Sequence, residues 1–238
     1  MNFHDKIALV TGGTGGLGRE VTMAFLEAGA AIVVTYRTAE EFGAVVSAAQ
    51  RIGAAPPEGV SVDVTDAQAV EKLIAGIVAK HGRLDILVNT VGAYAGGTNL
   101  WEVDPRTYDQ MLQPNLMAGF VLARAVVPQM IRQNRGWIVN IASKAAFDHA
   151  AGGALYAASK AAALALFDSL AAEVKPFNIN VNSVLPSIID TAANRKAIPG
   201  ADFSKWPKPD EIARVILFLC SEEARVIQGA AIPVYGKS

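Results

Sequence analysis

Lys6-Ile-Ala-Leu-Val-Thr11-Gly12-Gly13-Thr14-Gly15-Gly16-Leu17-Gly18 is the stretch that decides the fold. Lys6–Thr11 is a short apolar run bounded by glycine, the pattern of a buried strand. After the glycines, Val21, Met23, Ala24, Phe25 and Leu26 begin a helix that stops at Gly29. Strand, glycine-rich turn and helix in that order form a dinucleotide-binding fingerprint. The missing side chains let backbone N–H groups approach a pyrophosphate at a helix N-terminus. Two registers fit: Gly13-x-Gly15-x-x-Gly18, and Thr11-Gly12-x-x-x-Gly16-x-Gly18. Both place Thr14 and Leu17 inside the turn.

Outward from this unit, strands and helices alternate. Strands are expected at Ala31–Tyr36, Gly59–Val64, Leu84–Asn89, Trp137–Ala142, Ile179–Leu185 and Ala230–Tyr235. Helices are expected at Ala39–Ile52, from the cap Asp66 to Lys80, from Asp104-Pro105 to Gln133, at Gly153–Val174 and at Pro209–Ser221. Such alternation predicts one doubly wound α/β Rossmann domain over residues 1–238, about seven parallel strands with helices on both faces. Pro114 falls inside the fourth helical region and should kink it near Asn115. Residues 187–208 are expected to be a loop, of a length that usually serves function.

The 238 residues carry a net charge of −1, which suggests neither a nucleic-acid surface nor an anionic membrane as partner. No uncharged apolar run reaches the roughly 18 residues of a membrane span. A single cysteine, Cys220, lies in an apolar run and reads as a small core residue. A cytoplasmic location is expected.

Tyr156 and Lys160 are one helical turn apart, so a helix sets phenol and ammonium on one face. A free tyrosine titrates near ~10, and a neighbouring ammonium is expected to lower that value. The hydroxyl of Ser143 could hold a carbonyl while Tyr156 passes it a proton. The dinucleotide type is decided at the end of the second strand, where an acid would accept the ribose 2′-OH of NAD. Arg37 stands there instead and can fork onto a 2′-phosphate, which favours NADP over NAD.

The glycine turn and Tyr156-x-x-x-Lys160 resemble those of the short-chain dehydrogenase/reductase family, and the resemblance covers nearly the whole chain. It implies that Asn115, Ser143, Tyr156 and Lys160 form a catalytic tetrad. It implies a dinucleotide held by Gly12, Thr14, Gly16, Leu17 and Gly18, by Asp63-Val64, and by Asn89-Thr-Val-Gly92. Tyr156 and Lys160 would share in that binding, Lys160 at the nicotinamide ribose. Pro186-Ser-Ile-Ile-Asp-Thr191 is similar to the family's nicotinamide-holding segment, with Ile189 and Thr191 in place. Serine replaces a glycine at Ser187, so a small backbone difference is expected there. Tyr94–Gly97, Lys144–Asp148 and 190–206 are similar to dihydropteridine reductases. Those enzymes lack the tetrad serine and prefer NADH, so the substrate stays open.

The reading is an NADP-dependent oxidoreductase acting on a small-molecule carbonyl or alcohol. Reduction of a pterin or a 3-oxoacyl thioester are the alternatives, and outside enzymes a non-catalytic dinucleotide-binding regulator. Apolar and small residues on the Gly153–Val174 helix, Phe167 among them, exceed one buried stripe. They suggest, with the family resemblance, a homotetramer, with a dimer as the alternative.

Overall fold

The computed structural model describes residues 1–238. Its first strand, β1 (Ile7–Thr11), is a run of apolar residues because both of its faces are covered. Successive side chains point to opposite faces. Ala8 and Val10 enter one core, and Leu9 enters the other. The helix α1 (Gly16–Glu27) returns the chain to β2 (Ala31–Tyr36), and α2 (Ala39–Arg51) returns it to β3 (Glu58–Ser61). Then α3 (Ala67–His81) crosses to β4 (Ile86–Asn89) on the far side of β1. The remaining strands, β5 (Gly136–Ile141), β6 (Ile179–Pro186) and β7 (Ala231–Val234), continue outward from β4. All pairings are parallel, in the order β3-β2-β1-β4-β5-β6-β7. The winding reverses between β1 and β4, so a crevice opens there beyond the carboxyl ends of the strands.

Local signals fix the helix ends. Asp66 Oδ1 accepts from Gln68 N (2.9 Å) and Ala69 N (3.2 Å), and Gly82, at φ 76°, ends α3. Asp104 Oδ1 accepts from Arg106 N at 2.8 Å at the start of α4 (Arg106–Leu112). The helix α5 (Ala118–Gln133) ends on Asn134 in the left-handed region, and α6 (Ala154–Val174) follows β5. Helices α1, α2 and the last helix, α8 (Pro209–Leu219), cover one face of the sheet, with Phe25, Ala49 and Ile216 buried against it. On the other face α3, α5 and α6 bury Ile74, Leu122 and Phe167. Cys220 is buried in the first of these cores.

Three expectations need correction. The first helix begins at Gly16, inside the glycine turn, not at Val21. The third strand stops at Ser61, so Asp63 and Val64 lie beyond its end. The segment 187–208 is not all loop. It holds the short helix α7 (Ala192–Ala197), capped by Thr191 Oγ1, which accepts from Asn194 N at 3.2 Å. At Ser187 the backbone φ is not positive, and the hydroxyl donates to Tyr235 O at 2.8 Å.

The Pro114 kink takes the form of one π-helical turn, Gln113–Met117, between α4 and α5. By length and composition alone, Arg106–Gln133 and Ala154–Phe177 could each cross a membrane, although Lys160 and Asp168 interrupt the second. Both lie along the sheet and carry Asn115 and Lys160 into the protein.

Candidate active site

The structure chooses between the two glycine registers. Gly12 sits at φ +68°, a backbone conformation that side chains disfavour. A methyl group on Gly16 would come within 2.9 Å of Thr191 Cγ2. On Gly18 it would overlap Gly12 O and reach 2.7 Å from Thr90 Oγ1. Gly15 has open space by comparison, its nearest neighbour being 3.5 Å away. Gly12, Gly16 and Gly18 are therefore the glycines of the Thr11-Gly12-x-x-x-Gly16-x-Gly18 spacing. Gly13 is needed for another reason: a side chain there would strike Val34.

No side chain caps α1, and the N–H groups of Gly16, Leu17 and Gly18 have no acceptor within the protein. Three free donors at the positive end of a helix suit a pyrophosphate. Leu17 contributes only its backbone, since its side chain is in the core. Two residues that the sequence reading missed hold the turn. Thr35 Oγ1 accepts from Gly12 N at 2.9 Å, and Thr90 Oγ1 donates to Thr11 O at 2.7 Å. Both come from neighbouring strand ends, and no local pattern marks them.

From this turn a cleft of about 640 Å³ runs across the ends of β1, β2 and β4, bordered by Thr14, Arg37, Asp63, Val64, Gly92 and Pro114. Arg37 is exposed at its rim and forms no ion pair. Glu41 shares that end and accepts from Thr14 Oγ1 at 3.2 Å. Asp63 Oδ1 accepts from Thr65 N (2.9 Å) and Thr65 Oγ1 (2.8 Å). These bonds, with a smaller contribution from Arg37, hold its carboxyl below the usual range. Glycine turn, cleft volume and free donors together fit a dinucleotide.

At the other end of the crevice Asn89 is buried as a strut. It accepts from Thr11 Oγ1 at 2.9 Å and donates to Asn140 Oδ1 at 3.2 Å, tying β1, β4 and β5 together. The π-helical turn aims Asn115 at the segment after β4. Its Oδ1 accepts from Ala93 N at 3.0 Å, and its Nδ2 donates to Ala93 O at 2.9 Å and to Ser159 Oγ at 3.0 Å. Ser159, also missed from sequence, donates in turn to Tyr156 O at 2.7 Å.

Lys160 is buried, with Nζ donating to Ile141 O at 2.9 Å, and desolvation lowers its pKa to about 8. Gly92 leaves room beside it: a Cβ there would meet Asn115 Oδ1 at 2.9 Å and Lys160 Nζ at 3.1 Å. Ser143, at the end of β5, accepts from Ala145 N at 3.1 Å and lies beside Tyr156.

The expected lowering of the Tyr156 pKa is not found. Burial pushes the phenol above its ordinary value, a hydrogen bond with Ser143 opposes that shift, and Tyr94 adds to it. Lys160 is not among the groups that shift it. The ring of Tyr94 stands against Tyr156, centroids 4.9 Å apart at 81°.

Pro186 is buried at the end of β6, Ile189 packs partly into the core, and the methyl of Thr191 leans toward Gly16. Arg195 is committed to Asp190 through bonds of 2.5 and 2.8 Å and lies over Phe203. Trp206 is buried against Phe203, so its ring is used in packing this segment.

A sheet that opens at its winding reversal, with a phenol, a hydroxyl and a buried ammonium beside the opening, is that of a dinucleotide-dependent oxidoreductase. Comparison with known proteins agrees. The profile of the short chain dehydrogenase family matches residues 6–201. The chain is 31% identical over 245 residues to the 3-oxoacyl-[acyl-carrier-protein] reductase FabG of Thermotoga maritima, covering 99% of this chain and 98% of that one. It is 32% identical to the NAD-dependent glycerol dehydrogenase of Listeria innocua, covering 99% and 94%. The solved structure of ElxO with NADP bound superposes with a TM-score of 0.89 at 28% identity, covering 97% of each chain. The chain belongs to the short-chain dehydrogenase/reductase family and is an oxidoreductase of that kind.

Proposed function

We propose that the chain is an NADP(H)-dependent carbonyl reductase, able to run in reverse as an alcohol dehydrogenase, with Tyr156 as its general acid. The observation that carries this reading is Lys160, a buried ammonium set between the Ile141 carbonyl and Gly92, one turn from Tyr156. Isolated buried charge is expensive and is kept where it serves a site. The bound nicotinamide would supply the hydride. Ser143 orients the carbonyl oxygen, and Tyr156 donates the proton to it. A raised phenol pKa keeps that proton in place at neutral pH. Lys160 presents N–H donors to the ribose, and Asn115 fixes Ala93 and, through Ser159, the turn of α6 that carries Tyr156. Tyr156→Phe should lower kcat roughly 10²–10⁴-fold while dinucleotide affinity persists. Near-normal turnover would remove Tyr156 from this role.

The preference for NADP rests on Arg37, unpaired at the adenosine end of the cleft. Relatives point both ways, since the glycerol dehydrogenase is NAD-dependent and ElxO holds NADP. Arg37→Ala should weaken NADPH by on the order of 1.5–3 kcal/mol and leave NADH nearly unchanged. Equal losses for both would make Arg37 a surface charge. The likeness to FabG keeps a 3-oxoacyl thioester as the second substrate class, and a panel of ketones, pterins and thioesters separates them.

The same proposal covers a homotetramer, or a dimer, in the cytoplasm. Met117 and Phe120 are exposed on the π turn and α5, and the outer face of α6 exposes Ala158, Ala162 and Ala165. An apolar surface of that kind supports a subunit contact.

A further inference from the structure

Three side chains at the mouth of the site have no part in the mechanism above, yet they are apolar and exposed. Tyr94 is 70% exposed, Phe147 63% and Ile188 41%. They leave the carboxyl ends of β4, β5 and β6, which are adjacent in the sheet. The fold therefore brings all three to the edge that holds Ser143 and Tyr156.

Tyr94 is held in place. Asn115 grips Ala93 on both sides of the preceding residue. Gly97 N donates to Gly152 O at 2.9 Å, fastening the far end of the segment to the start of α6. Gly97 and Gly152 both take positive φ, at +92° and +77°. Gly96 leaves the space in which the Tyr94 phenol lies, because a Cβ there would come 2.7 Å from Tyr94 Cζ. One edge of the ring geometry is used on Tyr156, and the rest faces solvent. An exposed aromatic surface fixed beside the reacting phenol is a platform for a flat apolar group.

We propose that Tyr94, with Phe147 and Ile188 exposed beyond the neighbouring strand ends, is a specificity-determining residue that selects carbonyl compounds bearing an aromatic or alicyclic ring. The inference rests on the reductase reading. Of the cations on these loops, Arg195 is bound to Asp190 and Lys144 to Asp148 at 3.5 Å, while Lys196 is exposed and unpaired.

The test compares a ring-bearing ketone with an open-chain ketone of equal carbon number, using NADPH. Wild-type protein should favour the ring in kcat/KM. Tyr94→Ala should reduce that ratio by roughly tenfold, mainly through KM, and Tyr94→Phe should retain it. Gly96→Ala, which displaces the ring, should reproduce the loss, and combining it with Tyr94→Ala should add nothing further. A ring preference that survives Tyr94→Ala overturns the platform while leaving the reductase reading intact. So does an equal fall for both ketones, which would mark a merely structural tyrosine. Absence of any Tyr156-dependent turnover, with dinucleotide bound, overturns both readings together.

Discussion

Lys160 is the titrating group of the site. Its pKa of about 8 lies below the ordinary 10.5 because burial disfavours the ammonium. Between those values the unfolded chain holds a proton that the folded chain has released. The contribution of this residue to stability therefore rises with pH across that window. Its contribution to the proposed function runs the other way, since that role needs the ammonium as a donor to the ribose. Measured with the dinucleotide as varied substrate, kcat/KM should fall as pH rises through about 8. Lys160→Arg should move that fall to higher pH. A wild-type profile flat well past 8 would mean that another group governs binding. The glycine turn gives a second residue-scale expectation. Gly18→Ala forces a methyl toward Gly12 O and Thr90 Oγ1 and should destabilise by about 1–3 kcal/mol in denaturant melts. Gly15→Ala, with open space, should change stability by under about 0.5 kcal/mol. Similar losses from both would contradict the register chosen above.

At the scale of elements, α6 does two jobs with opposite faces. Its inner face buries Ala157, Leu164, Phe167 and Ala171, and Phe167 is only 1% exposed. This corrects the sequence expectation that placed Phe167 at a subunit contact. The ring also fills the space beside Gly119 of α5, where a Cβ would meet it at 2.9 Å. Phe167→Ala should therefore cost about 3–5 kcal/mol of folding stability by opening a cavity. If the melt is unchanged and only oligomer mass falls, the assignment of that face is wrong. The helix pattern alone misled because alanines surround the helix, leaving no polar face to contrast with the buried one. Strand and helix order, by contrast, was legible nearly element by element. Apolar runs and glycine breaks are local signals, and errors were confined mostly to ends.

For the whole molecule, the apolar side chains exposed on the π turn, α5 and the outer face of α6 carry the proposal of assembly. The exposed residues suited to test it are Met117 and Phe120, not Phe167. Phe120→Asp should lower the mass seen by light scattering without lowering monomer helicity by circular dichroism. A wild-type chain that runs as a 25.0 kDa monomer at micromolar concentration would exclude the homotetramer and the dimer alike.

The sequence by itself determined the doubly wound parallel sheet, the glycine turn and the one-turn spacing of Tyr156 and Lys160. Each depends on periodicity, on residues that only glycine can replace, or on spacing within one helix. Tertiary structure alone decided what surrounds them. Thr35 reaches Gly12 across 23 residues, and Asn115 reaches Ala93 across 22. Tyr94 meets Tyr156 only because the segment after β4 is fastened to the start of α6, Gly97 N donating to Gly152 O. Whether Tyr156 titrates high or low was likewise unreadable. The spacing to Lys160 brings an ammonium near, but burial sets the direction, opposed by a hydrogen bond with Ser143 and aided by Tyr94. Those forces come from the folded surroundings, which no stretch of chain contains.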